Sequence, residues 1–229
     1  KAAICVNQTP DNYFLFNPND SYAMEISQQT AAKSQPVIVS STILSYCKQR
    51  AVLGQHNYEN IAAAVQVAQL MGMDNDKIYD RLSTFVFPEH RLEYMGLFAG
   101  VSFYNDSKAT NPDAVIKAVD AMADKPHLIL CGEDKSLDLK PLISYLHKHT
   151  KSITVFGDMA DLIVSQSKFI DTSFDCNAVT DLDSCLKFLK ERVLSGEIVL
   201  FSPSSSSSKR LRLAHGSLRQ APVLILNFH

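Results

Sequence analysis

From Leu92 onward, short apolar runs alternate with stretches whose apolar residues recur at helical spacing. Short runs near 93–95, 101–105, 127–131, 153–156, 177–179 and 198–201 predict strands, with β-branched and aromatic residues prominent at 101–105, 153–156 and 198–201. The intervening segments near 113–123, 139–148, 159–166 and 182–194 predict helices. A strand-helix-strand rhythm of this kind builds parallel strands with crossover helices, hence a doubly wound α/β sheet.

The first part of the chain is less regular. Strand-like runs at 1–6 and 13–16 flank turn chemistry at 7–12, a helix-compatible stretch follows at 22–30, and 36–40 reads as another strand. Gly54-Gln55-His56-Asn57-Tyr58-Glu59-Asn60 leads into an Ala-rich helix over 61–71, which Gly72 ends, and a shorter helix is expected over 75–84. Pro88 biases Phe87 toward extended backbone. The expected domain boundary lies there, giving domains 1–87 and 88–229.

With 46% apolar and 20% charged residues among 229, the chain can bury a real core, and a net charge of -2 leaves no basic footprint for nucleic acid. No apolar run reaches the roughly 18 residues needed to cross a bilayer, so no membrane partner is expected. The five cysteines are scattered without metal-ligand spacing, which favours reduced structural thiols in a cytoplasmic protein and no metal site. The chain starts at Lys1 inside a strand-like run, without Met, and is expected to be part of a longer polypeptide.

Three polar loops follow strands in the second domain: Asp106 to Asn111, Gly132 to Ser136, and Ser202 to Ser208. Parallel strands aim their carboxyl-end loops at one edge, where open α/β sheets place ligands. The ammonium groups of Lys108 and Lys135, the hydroxyls of Thr110 and the serines, and helix-start N–H groups suit a small anion. Solvated loops are the plainer reading of each one alone. Asn57 and Asn60 lie three apart on one helical face, where they can read a heterocycle edge or cap the helix. His56 is open to a ligand or base role, or to a backbone partner. Arg91, at the hinge, can clamp a phosphate or pair with a surface carboxylate.

Taken in order, Leu53-Gly-Gln-His-Asn-Tyr-Glu-Asn60, Phe87-Pro-Glu-His-Arg-Leu-Glu93, Asn105-Asp-Ser-Lys-Ala-Thr-Asn111, Gly132-Glu-Asp-Lys135 and Leu200-Phe-Ser-Pro203 resemble the Mur ligases, over roughly residues 1–207. The closest resemblance is to the members that add D-glutamate. It implies an α/β protein in which 1–87 is the end of the family's central ATPase domain. Residues 88–229 would then be its Rossmann-like C-terminal domain, with a mostly parallel sheet. The implied reaction uses ATP and Mg²⁺ to activate the carboxylate of UDP-N-acetylmuramoyl-L-alanine as an acyl phosphate, which the amine of D-glutamate attacks. It belongs to peptidoglycan precursor synthesis, in a protein expected to be monomeric.

By the same resemblance, Asn57 and Asn60 contact adenine, Asp106 the ribose and Arg91 the phosphates. Thr110, Lys135 and Ser207 hold D-glutamate, and Lys108 stands close to the reacting groups beside Arg91. Two departures accompany this. The family's UDP-binding domain, Gly-Lys-Thr phosphate loop, Mg²⁺ ligands and modified lysine have no counterpart in these 229 residues, so this segment alone is expected to be catalytically silent. After the serine run the chain reads Ser208-Lys-Arg-Leu-Arg-Leu-Ala-His, without the family's aromatic residue beside glutamate. Cys131 also stands where the family has the first of two glycines. A Mur ligase adding another amino acid, or a non-catalytic nucleotide-binding remnant, are the alternatives.

Overall fold

A computed structural model describes residues 2–49, 52–133 and 138–204. It divides into two compact units, Lys1–Val86 and Phe87–His229.

In the first unit, strands β1 (Tyr13–Phe16) and β2 (Lys33–Pro36) pair in parallel around helix α1 (Ser21–Gln29), which Asp20 caps through the Ala23 N–H. Helices α2 (Ser41–Gln49), α3 (Gln55–Leu70) and α4 (Asn75–Ser83) follow. Three expectations are corrected here. Ala2–Cys5 is a short 3-10 helix rather than a strand: only Cys5 of that run is buried, and strand β1 has β2 as its partner instead. The second strand ends at Pro36 because its partner ends at Phe16, the last bond being Val37 N–H to the Phe16 carbonyl, so the apolar residues beyond it continue unpaired and Ile38 is exposed. Helix α3 begins at Gln55, ahead of the expected 61, so Asn57 and Asn60 lie inside it. Helix α2 escaped the sequence reading altogether. Its buried Ile43 and Cys47 are four residues apart, the spacing that could have revealed it.

The second unit is a six-stranded sheet of β3 (Glu93–Phe98), β4 (Val101–Asn105), β5 (His127–Cys131), β6 (Ser152–Phe156), β7 (Cys176–Ala178) and β8 (Ile198–Phe201), in the order β3-β4-β8-β5-β6-β7. All neighbours are parallel except β3 and β4. Helices α5 (Pro112–Asp120), α6 (Lys140–His149) and α7 (Ala160–Ile170) form a contiguous layer, and α8 (Leu182–Lys190) packs on the sheet as well. The α8 residues Leu182, Cys185, Leu186 and Leu189 share one buried cluster with Val101, Phe103, Ile129, Cys131, Val199 and Phe201. Alternation along the strands turns Leu128, Leu130 and Leu200 to the opposite face. Strands β5, β6 and β8 are buried throughout, which explains why β8 is wholly apolar and β5 is apolar after His127, while β6 buries Ser152 and Thr154 beside Ile153, Val155 and Phe156. Helices α5 and α8 stop short of the expected 123 and 194, where the chain tightens into bonds from Met122 N–H to Val119 and from Arg192 N–H to Leu189.

The antiparallel pair turns on Ala99 and Gly100, with φ of 48° and 80°. Positive φ at both central residues is the hairpin geometry that matches strand twist. A Cβ on Gly100 would come within 2.1 Å of the Ser195 hydroxyl oxygen, and the Gly100 carbonyl accepts from Gly196 N–H. Gly100→Ala is therefore expected to destabilise the second unit by more than about 1 kcal/mol, read as a lower urea midpoint with an unchanged slope. An unchanged midpoint would show that the Ser195 turn gives way freely.

Candidate functional site

The order β4-β8-β5 brings three carboxyl-end loops side by side, because the chain returns through α8 and inserts β8 between the earlier two strands. Backbone bonds seal them: Asp106 N–H donates to the Phe201 carbonyl, and Ser202 N–H to that of Ile129. Of these loops, 134–137 and 205–208 lie outside the described residues, and with them Lys135 and Ser207.

At the centre stands Asp106, 8% exposed. Its Oδ1 accepts from Leu92 N–H at 3.2 Å and its Oδ2 from the Ser202 hydroxyl at 3.2 Å. One carboxylate thus ties the segment before β3 to the ends of β4 and β8. Each oxygen keeps a second lone pair for an incoming hydroxyl. Burial pushes the carboxyl up to about 6, outweighing the two hydrogen bonds and the Arg91 guanidinium, which pull it down. Asp106 is the strongly displaced carboxyl on this edge, the kind of perturbation that accompanies functional sites.

Arg91 is exposed and sits between two residues in the left-handed region, His90 at φ 70° and Leu92 at φ 47°. That conformation costs about 1–2 kcal/mol per non-glycine residue and persists only where the surroundings enforce it. Here they do. His90 N–H donates to Glu93 Oε2 at 2.8 Å, the His90 carbonyl accepts from Lys108 N–H at 3.1 Å, and Leu92 N–H is held by Asp106. Buried Asn105 adds its amide, with Nδ2 at 2.8 Å from His90 Nδ1 and 3.3 Å from Glu93 Oε2, while its Oδ1 accepts from Ser107 N–H. Sequence reasoning marked Arg91 and placed Asn105 and Ser202 in the candidate loops, but it assigned neither of them a bond nor Leu92 any part, since nothing in a linear pattern reports a left-handed turn at His90.

The remaining loop residues divide by exposure. Lys108 and Thr110 are exposed and free of the core, whereas Ser107 is 3% exposed and its hydroxyl has no partner among the described residues. Asn111 caps α5 through Ala114 N–H, and Pro112 opens the helix. The donor set fits an anionic, hydroxyl-bearing ligand: two exposed cations, one carboxylate with spare lone pairs and an unpaired buried hydroxyl. Among the described residues no group of three or more His, Cys, Asp or Glu could hold a metal ion.

Asn57 and Asn60 belong to the other unit. Asn57 does not cap α3; its Nδ2 donates back to the Leu53 carbonyl at 2.8 Å, while Gly54 occupies the cap without a side chain. Its side-chain oxygen is left available as an acceptor. Asn60 is exposed one turn further on, and Glu59 accepts from Asn17.

Residues 90–205, about half the chain, match the family model described as "Mur ligase, glutamate ligase domain". A UDP-N-acetylmuramoylalanine–D-glutamate ligase from Geobacillus kaustophilus is 34% identical over 90% of this chain and 49% of its own length. The chain spans about half the length of the curated relatives it matches. In fold it is similar to Mycobacterium tuberculosis folylpolyglutamate synthase complexed with ADP, with a TM-score of 0.65 and 13% identity over 90% of this chain and 55% of that one. It is likewise similar to MurF from Acinetobacter baumannii, with a TM-score of 0.61 and 15% identity over 98% of this chain and 54% of that one. The buried Asp106 clasp and the β4-β8-β5 edge thus fall inside the matched segment, and the chain belongs to the Mur ligase family.

Proposed function

We propose that the protein containing this chain is an ATP-dependent ligase that joins D-glutamate to UDP-N-acetylmuramoyl-L-alanine in peptidoglycan precursor synthesis, through an acyl phosphate. The observation that carries this reading is the convergence of the Asp106–Thr110 loop, the end of β8 and exposed Arg91 on one edge, in a chain 34% identical to a D-glutamate ligase. The first unit is read as the end of the ATP-binding domain and the second as the C-terminal domain.

In this reading Asp106 accepts from the ribose hydroxyls with its spare lone pairs, and Asn57 and Asn60 meet the adenine edge. Arg91 offers its planar donor fork to the phosphates. Lys108 stabilises charge developing where amine meets acyl group. Thr110, Lys135 and Ser207 anchor the carboxylates of D-glutamate, so that amine attack becomes nearly unimolecular. Mg²⁺, when bound with ATP, supplies charge neutralisation on the phosphates, and its ligands are assigned to the part of the protein outside this chain. The cysteines are all free and buried, which supports a reducing compartment, the cytoplasm. The protein is proposed to act as a monomer.

The test is amino-acid-dependent ADP release by the full-length protein with UDP-N-acetylmuramoyl-L-alanine. D-Glutamate is expected to be accepted, and L-alanine, L-lysine and diaminopimelate rejected. Preference for one of the latter would move the protein to a sister activity. Lys135→Ala is expected to raise the KM for D-glutamate at least tenfold while leaving that for ATP within about threefold, the signature of lost amino-acid binding. An unchanged KM for D-glutamate removes Lys135 from the pocket.

A further inference from the structure

We propose that Asn105 is a positioning residue, which places Arg91 for its ligand by locking the left-handed turn at His90. The inference rests on the reading of Arg91 as a phosphate contact, and it concerns a residue that need not touch any ligand.

Asn105 ends β4 and is 1% exposed, so its amide must find partners inside the protein. Its three polar contacts all serve the loop edge. The oxygen accepts from Ser107 N–H at 3.1 Å, which fixes the orientation of the amide. The nitrogen is then the group facing both His90 Nδ1 at 2.8 Å and Glu93 Oε2 at 3.3 Å. An amide nitrogen only donates, so His90 Nδ1 must accept, and the ring is held with Nδ1 free of a proton. Glu93 Oε2 also receives His90 N–H at 2.8 Å. Side chain and backbone of His90 are therefore clamped from the same two residues, on the N-terminal flank of Arg91. The C-terminal flank is held independently by Asp106 at Leu92 N–H.

Removing the Asn105 amide takes away the donor that keeps Nδ1 unprotonated. Glu93 Oε2, already 3.4 Å from Nδ1, then remains as an acceptor facing it, and Nδ1 acquires the proton. The histidine ring swings toward Glu93 and the turn carrying Arg91 relaxes. Asp substitution acts by another route. Asn105→Asp keeps the acceptor for Ser107 N–H but turns a carboxylate toward Glu93, and that repulsion removes the donor from His90 Nδ1 and loosens the same turn.

The experiment uses the full-length protein, with ATP affinity measured by calorimetry for Asn105→Ala, Arg91→Ala and the double variant, and with ¹⁵N resonances of His90 recorded in parallel. Asn105→Ala is expected to weaken ATP about tenfold, and the double variant to bind no more weakly than Arg91→Ala alone, because both changes remove the same contact. Multiplying losses would overturn the proposal. Should Asn105→Ala fail to fold, Asn105→Asp decides: combined with Arg91→Ala it must bind ATP no more weakly than Arg91→Ala alone, and multiplying losses overturn the proposal. If the parent protein itself binds no ATP, the ligase reading fails. The inference is then judged on the histidine alone: Nδ1 must be unprotonated in the parent and protonated in Asn105→Ala, and an unchanged Nδ1 resonance sinks it.

Discussion

Replacing Lys108 by Ala in the full-length protein is expected to lower the turnover for D-glutamate ligation by about 100- to 1,000-fold, the usual cost of deleting one preorganised charge at a developing oxyanion. The side chain is exposed, and the structural duty of this residue falls on its backbone, whose N–H holds the His90 carbonyl. Substitution preserves that bond. Stability should therefore move by no more than about 0.5 kcal/mol, and the KM values for ATP and D-glutamate by little. Steady-state kinetics and a thermal melt on the same preparation separate the two effects. A turnover within about threefold of the parent would remove Lys108 from the reacting centre, and a collapsed melting temperature would make it structural.

The second large effect concerns Asp106 and runs against intuition. Burial holds its carboxyl at about 6 against an ordinary 3.8, so the folded protein keeps a proton that the unfolded chain releases between those values. The unfolded state binds fewer protons there, and stability falls as pH rises from about 4 to about 6. A displacement of that size corresponds to about 3 kcal/mol, present in full below the unfolded value and lost above the folded one. Asp106→Asn carries no charge to desolvate. Its oxygen can still accept from Leu92 N–H, and its amide can donate to the Ser202 hydroxyl. The variant is expected to unfold at higher urea than the parent at pH 8, by up to about 3 kcal/mol, and to match it near pH 4. It should also bind ATP more weakly, since the ribose loses an anionic acceptor. Stability given up for function is expected at such a site. Equal stability at pH 8 would mean that water reaches the carboxylate.

Much of this architecture was legible because two periods dominate the chain. Strands β5, β6 and β8 are buried on both faces and read as largely apolar runs, broken inside only at Thr154 of β6, and the helices between them keep one apolar face. The loop from Asn105 to Asn111 was found for a related reason: polar residues crowded behind a buried strand have to face an edge. What escaped was set by contacts distant in sequence. The first strand-like run became a 3-10 helix because strands are defined by partners, and β1 pairs with β2 instead. Helix α2 was overlooked between two segments that drew attention. Ser202 read as the start of a serine tract, yet it is buried and bonded to Asp106 across 96 positions of chain. His90 and Leu92 look like ordinary hinge residues, and their left-handed backbone follows only from bonds to Glu93, Asn105, Asp106 and Lys108.

The two halves of the proposed chemistry, nucleotide and amino acid, meet on one five-residue span from Asp106 to Thr110, and the claim that they serve a single reaction can be tested atom by atom. UDP-N-acetylmuramoyl-L-alanine labelled with ¹⁸O in its free carboxylate, supplied to the full-length protein with ATP, Mg²⁺ and D-glutamate, should deliver one labelled oxygen to inorganic phosphate for every amide bond formed. Amide formation with unlabelled phosphate would contradict activation through an acyl phosphate, and absence of amide product with D-glutamate would contradict the ligase itself.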